Sequence, residues 1–248
     1  MKLLKKLRNF NVTHYSYLFG IVVAATVFAT PVRSATLDKQ IVTFLEVERL
    51  EYRANEGRNS VHWEAQGWAG TDKHKLWMKT EGERLSDGKY EGAEVQLLYS
   101  RMITDFFDAQ AGIRYDIEPE PRRGFFVLGL QGLSKQFFEL DTAMFVSDDG
   151  DVSARLEAEY EVLLTQKLIA QASVETNIAA QSARRYEVGP GFNDIEVGFR
   201  LRYEIRREFA PYIGLQWERK LGRTASWARE EGENIDNLAF VTGIRFRF

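Results

Sequence analysis

The closing stretch of the chain, Ile195 to Phe248, narrows the possible folds most. Ile195, Val197, Phe199, Leu201, Tyr203 and Ile205 alternate with Glu196, Gly198, Arg200, Arg202, Glu204 and Arg206. A period of two places the apolar set on one face of a strand and the charged set on the other. The pattern returns from Phe209 to Glu218. It returns again from Leu238 to Phe248, where Leu238, Phe240, Thr242, Ile244, Phe246 and Phe248 share a face and the chain stops on an aromatic residue. Two folds accommodate such strands. A soluble β-sandwich hides the apolar faces in a closed core. An outer-membrane barrel turns them to lipid and keeps the charges in its lumen.

The N-terminus bears on this choice. Lys2, Lys5, Lys6 and Arg8 precede an apolar run from Leu18 to Thr30, and no acidic residue occurs before Asp38. A basic segment followed by a short apolar one and small residues reads as a secretory signal peptide, here residues 1–35 with cleavage between 29 and 35. The other reading is an uncleaved N-terminal anchor. The run is too short for a transmembrane helix, and the mean hydropathy of −0.34 argues against a helical membrane protein. Residues 1–35 carry five of the 33 basic residues and none of the 36 acidic ones, so their removal takes the net charge from −3 to −8. An exported chain of that charge is no binder of nucleic acid. Cysteine is absent, which excludes disulfides, thiolate metal sites and a cysteine nucleophile.

Residues 36–248 read as one domain. Twelve strand-like segments recur, beginning with an irregular one at Ile41–Arg53. The eighth, from Val152 to Leu164, is rich in helix formers, yet Val152, Ala154, Leu156, Ala158, Tyr160, Val162 and Leu164 fall on alternate positions. Connections near Thr71–Lys73, Thr104–Asp105, Ser134–Lys135, Thr165–Lys167 and Arg207–Glu208 are short. Those between them, from Ala54–Ser60 to Gly222–Asn237, read as longer and more polar. Short periplasmic turns alternating with longer outer loops belong to outer-membrane barrels, and an even strand count leaves both termini in the periplasm. The expected fold is an all-β, antiparallel transmembrane barrel of about twelve strands, with Phe248 on the closing strand paired to the first near Ile41.

In that register the lumen receives Glu64, Lys79, Glu81, Glu83, Arg155, Glu157, Glu159, Glu161, Arg200, Arg202, Glu204 and Arg206. Mixed charges of this kind form either a structural polar filling or a selectivity lining. Catalysis has little support. His62 and Ser100 both point inward, but nothing in their spacing links them as base and nucleophile, so a barrel-embedded lipid hydrolase stands only as a distant alternative. The soft groups after residue 35 are His62, His74, Met78, Met102 and Met144, and they are scattered.

Several stretches carry a resemblance: WEAQGWAGTDKHKLWMKTEGER at Trp63–Arg84, EVQLLYSR at Glu94–Arg101, ARLEAEYEVLLTQKLI at Ala154–Ile169, and DIEVGFRLRYEIRREFAPYIGLQWERKLG at Asp194–Gly222. They resemble the copper resistance protein B family of Gram-negative bacteria over about residues 41–248. The resemblance implies an outer-membrane barrel, without enzymatic activity, that binds copper or limits its permeation beside periplasmic copper-handling proteins. A general small-solute channel with an indirect copper role is the alternative. Many members carry a Met/His-rich segment between signal peptide and barrel; here Thr36–Ile41 stand in its place, with neither residue type. Copper, the one cofactor implied, is therefore assigned to the softest groups of the matched region, His62, His74 and Met78. The terminal Phe248 resembles the signal read by the barrel-assembly machinery. Lipid, copper ions and that machinery are the expected partners.

Overall fold

The computed structural model describes residues 40–248, so the expected signal peptide lies outside the described residues. Twelve long strands form one closed antiparallel sheet. They are β1 (Val42–Ala54), β2 (Ser60–Gly70), β3 (His74–Leu85), β4 (Tyr90–Thr104), β5 (Phe107–Glu118), β6 (Arg123–Leu133), β7 (Phe138–Ser147), β8 (Val152–Leu163), β9 (Leu168–Ala179), β11 (Asp194–Tyr203), β12 (Phe209–Lys220) and β13 (Asp236–Arg247). A two-residue strand, β10 (Gly191–Phe192), adds to the end of β9, and one helix, α1 (Gly222–Glu231), precedes β13. Each long strand pairs with its neighbours in sequence, and β13 returns to β1. Closure removes the unpaired edges that an open sheet leaves.

Burial is inverted relative to a soluble protein. Ile113, Met78, Leu76, Phe199 and Phe240 are more than half exposed, whereas Glu51, Ser100, Arg200, Glu46 and Arg202 are buried. The apolar faces therefore point out, as lipid requires, and the sandwich alternative falls.

The seam sits further along β1 than the sequence indicated. Leu45, not Ile41, meets the terminus: its N–H donates to the Phe248 carbonyl at 3.0 Å, and the Phe248 N–H donates to the Leu45 carbonyl at 2.8 Å. Deleting Phe248 removes both bonds. It is expected to lower the amount of heat-modifiable, membrane-inserted barrel; an unchanged amount would show that the seam tolerates the loss.

β1 reads as irregular because it contains a bulge. Val47 opposes Ala65 and Arg49 opposes Glu64, so Glu48 is the extra residue. Before it Glu46 is buried; after it Arg49, Glu51 and Arg53 are, and the inward set changes from even to odd numbers.

The loop-length rule is weaker than expected. The β3–β4 and β7–β8 connections are tight, closed by Leu85 N–H to Lys89 O and Ser147 N–H to Asp151 O, both at 2.8 Å. At the first of these, the Lys89 backbone N–H and the Arg58 guanidinium hold the exposed Asp87 carboxyl below its usual range. Only β9–β11 and β12–β13 are long. They pack on each other through Gly189 N–H donating to Thr224 Oγ1 at 3.0 Å and Leu221 N–H donating to Asn193 O at 2.7 Å, and Trp227 of α1 is buried there.

Candidate functional site: a charged lumen

Cross-strand register arranges the inward carboxylates into two rows. On β2 to β5, Glu64, Glu81, Glu94 and Asp116 oppose one another in turn. On β7, β8, β9, β11 and β12, Asp141, Glu157, Glu175, Glu196 and Glu218 do the same. Like charges directly opposed across a ladder repel, so such rows persist only with counter-charge or a function that needs them.

Two arginines bridge the rows across the lumen, and a lysine reaches one row from the opposite wall. Arg49 of β1 reaches Glu64 at 3.1 Å and Glu157 at 3.0 Å, and also bonds Glu159. Arg155 of β8 reaches Glu81 at 2.8 Å and Glu94 at 3.0 Å on the far wall, and Glu175 on its own side at 3.3 Å. Lys79 of β3 pairs with Asp141 of β7. β1 and β8, like β3 and β8, stand five strands apart around the wall, so these side chains cross the pore. Guanidinium suits this role, since its fixed fork of donors can serve several carboxylates at once. A cavity of about 80 Å3 remains at this level, lined among others by Glu48, Glu139 and Gln96. A larger one of about 450 Å3 lies at the outer mouth, beneath Tyr186, Thr224 and Ala228.

Two further clusters lie along the wall on either side. In one, Arg200 donates through Nε and Nη2 to both oxygens of Glu51 at 3.1 and 3.0 Å, Tyr212 donates its hydroxyl to the same carboxylate at 3.0 Å, and Arg53 joins Glu51 to Glu83 at 2.9 and 2.8 Å. In the other, Arg202 and Arg245 share Glu161 at 2.8 and 3.1 Å, and Arg245 also holds Glu46 at 2.6 Å. The opposite wall is apolar: Trp77, Leu98, Val127 and Phe145 form a buried cluster flanked by Trp68 and Phe125. Arg114 lies over Phe125 and Phe145 at 5.1 and 4.8 Å and pairs with Glu94 at 2.8 Å, so one guanidinium joins the apolar wall to the ionic one.

The residues nominated from sequence divide as follows. Glu64, Lys79, Glu81, Glu83, Arg155, Glu157, Glu159, Glu161, Arg200 and Arg202 take part in the lumenal ion pairs just described. Glu204 and Arg206 do not line the lumen, because β11 ends at Tyr203 and the chain turns there through reciprocal Arg206–Phe209 backbone bonds at 3.2 and 3.1 Å. The soft groups are kept apart. His62 is buried in the lumen. His74 is exposed at the β2–β3 turn, where its Nδ1 lies 2.5 Å from the Tyr99 hydroxyl. Met78 is 57% exposed on the outer face. No shared soft-ligand set results. Ser100 donates to Asp108 at 3.3 Å, which also holds Lys75 at 2.5 Å. Through Lys75 it is level with Gly70, eight residues along β2 from His62 and so roughly 26 Å away at about 3.3 Å per residue. Sequence reading did not nominate Arg49, Glu51 and Arg53. Their own alternation with Leu50 and Tyr52 was the available signal, masked by the bulge.

Comparison with known proteins agrees with this architecture. Residues 41–248 match the family described as Copper resistance protein B precursor (CopB). Copper resistance protein B of Escherichia coli is 41% identical over 211 residues, spanning 85% of this chain and 71% of that one. A copper resistance protein B homolog of Pseudomonas syringae pv. tomato is 38% identical over 212 residues with the same coverage. Among solved structures, the NanC porin superposes with a TM-score of 0.57 at 14% identity, covering 82% of this chain and all of the porin. The KdgM porin does so with a TM-score of 0.52 at 11% identity, covering 83% and 99%. At such identities the likeness is one of fold, and that fold is the outer-membrane barrel. The inverted burial, the closed sheet and the match over the whole described region lead to one conclusion: this outer-membrane protein belongs to the copper resistance protein B family.

Proposed function

We propose that the barrel serves copper resistance, without catalysis, by restricting the passage of copper across the outer membrane. The observation that carries this reading is the bridging of the two carboxylate rows by Arg49 and Arg155, with Lys79 reaching Asp141 from the far wall, which spans the pore with paired charge. A soft-ligand copper store is supported less well, since His62, His74 and Met78 occupy lumen, turn and lipid face. Restriction also accounts for the carboxylate excess: rings of acidic side chains govern how cations enter a pore.

Planar-bilayer recording of the refolded barrel tests this directly. The unmodified protein is expected to remain silent, or to conduct only in rare, small steps. Steady open steps like those of a general porin would refute the proposal in favour of a small-solute channel. In cells, loss of the protein is expected to sensitise growth to copper more than to zinc or silver. Equal sensitivity to all three would indicate a general permeability defect instead.

A further inference from the structure

His62 is buried to 5% exposure, and among the described residues neither of its ring nitrogens has a hydrogen-bond partner. A buried imidazole with two idle nitrogens is costly and uncommon in a native protein. Its surroundings are ordered. On three adjacent strands Glu51, His62 and Glu83 stand directly opposite one another. The His62 Nδ1 lies 3.8 Å from Glu83 Oε2, too far for a hydrogen bond. That same oxygen receives Arg53 Nη1 at 2.8 Å, while Arg53 Nε binds Glu51 at 2.9 Å. A guanidinium therefore spans the two carboxylates that flank the imidazole. It occupies the place a cation would take.

The neighbouring charges differ in how firmly they are held. Arg200 is committed to Glu51 through two bonds, and Arg49 to Glu64, Glu157 and Glu159. Glu51 is saturated by Arg200, Arg53 and Tyr212. Glu83, by contrast, has only Arg53 as a close partner among the described residues and keeps 18% side-chain exposure to the lumen. Arg53 also has an alternative. Its charge acts on Glu196, which has no cation within 4.0 Å among the described residues and accepts only from Gln216 Nε2 at 2.9 Å.

We infer that His62 and Glu83 form a latent site for a borderline divalent metal cation, capped by Arg53, which moves toward Glu196 when the metal enters. Imidazole with carboxylate favours copper(II), zinc and nickel over calcium or magnesium, and copper(II) binds such donors most tightly of the three. Glu51 stays outside the ligand set and fixes the rung through Arg200 and Tyr212. The site does not depend on whether the pore conducts, so its failure and that of the restriction reading are separate results.

The test is a copper(II) titration of the refolded full barrel, followed by electron paramagnetic resonance. The unmodified protein is expected to give a spectrum with coupling to one imidazole nitrogen. His62→Ala should abolish that coupling and His74→Ala should leave it intact. Arg53→Met should tighten binding by roughly tenfold, the scale of changes around a metal's ligands, because the competing cation is gone. Should that variant fail to refold, Glu83→Gln, which keeps the side-chain shape, should weaken binding by a similar factor. Coupling that survives in His62→Ala, or an Arg53→Met barrel that binds no tighter, would overturn the proposal. So would copper bound without nitrogen coupling, which would point to the exposed Glu187, Glu231 and Glu233 carboxylates.

Discussion

Replacing Arg49 and Arg155 together by methionine is expected to convert a silent barrel into a conducting one. Each guanidinium ties a carboxylate row on one wall to the row on the other. Without them at least five carboxylates lose their cations and face one another across the pore. Repulsion between them, and the water they recruit, drives the side chains apart. The backbone ladders are untouched, so the barrel should still insert and keep its heat-modifiable mobility. Single variants should open it less, because either arginine alone still joins the rows. The open state should favour cations, since the remaining lining is acidic. In cells the double variant should be at least as copper-sensitive as a strain lacking the protein. An inserted double variant that stays silent in the bilayer would show that the bridges do not close the pore.

Arg200→Met is expected to have the largest effect on stability. The Glu51 side chain is fully buried, and Arg200 supplies two of its hydrogen bonds and a guanidinium that Glu51 shares with no other carboxylate among the described residues, whereas Arg53 also holds Glu83. Breaking a buried pair costs up to about 3–5 kcal/mol, and the Arg53 that remains beside Glu51 compensates it only in part because it also serves Glu83. A lysine at position 200 keeps the charge but not the two-point grip, so Arg200→Lys should recover part of the loss. Adding Glu51→Gln to Arg200→Met should recover part of it as well, because the stranded carboxylate is then gone. Urea unfolding in lipid vesicles measures all three. A loss in Arg200→Met below about 1 kcal/mol, the range of exposed pairs, would show that water reaches Glu51.

Much of this architecture can be read from the strands one at a time. Alternation is a local property, and it marks Ile195–Tyr203 or Val152–Leu163 as two-faced without reference to anything else in the chain. It fails where the backbone departs from the repeat. The extra residue at Glu48 reverses the faces of β1 midway, so Arg49, Glu51 and Arg53 stand out of phase with Glu46. Phe137 sits exposed in the β6–β7 turn with φ of 63°, a conformation no periodicity announces. Loop lengths misled for a related reason: polar residues such as Asp151 and Lys89 read as loop, yet they close tight turns at the ends of the hairpins. The contacts across the lumen were beyond reach. Which glutamate Arg155 meets depends on the barrel's circumference and stagger, quantities set by all the strands together and written in none of them. The candidate site was legible as a list of charges, but its pairing was not.

The opposed carboxylate rows also make the lumen a fixed-charge medium. Glu196 and Glu218 have no cation within 4.0 Å among the described residues, so whatever charge they carry is balanced by mobile ions drawn from solution. Such a space behaves as a small Donnan phase. It concentrates cations and excludes chloride even while nothing flows through it, and it discriminates most sharply in dilute media. Added salt screens the repulsion along the rows while affecting the buried bridges less, so moderate ionic strength should stabilise this barrel. A bacterium in fresh water and one in brine would then carry the same protein with different ionic contents.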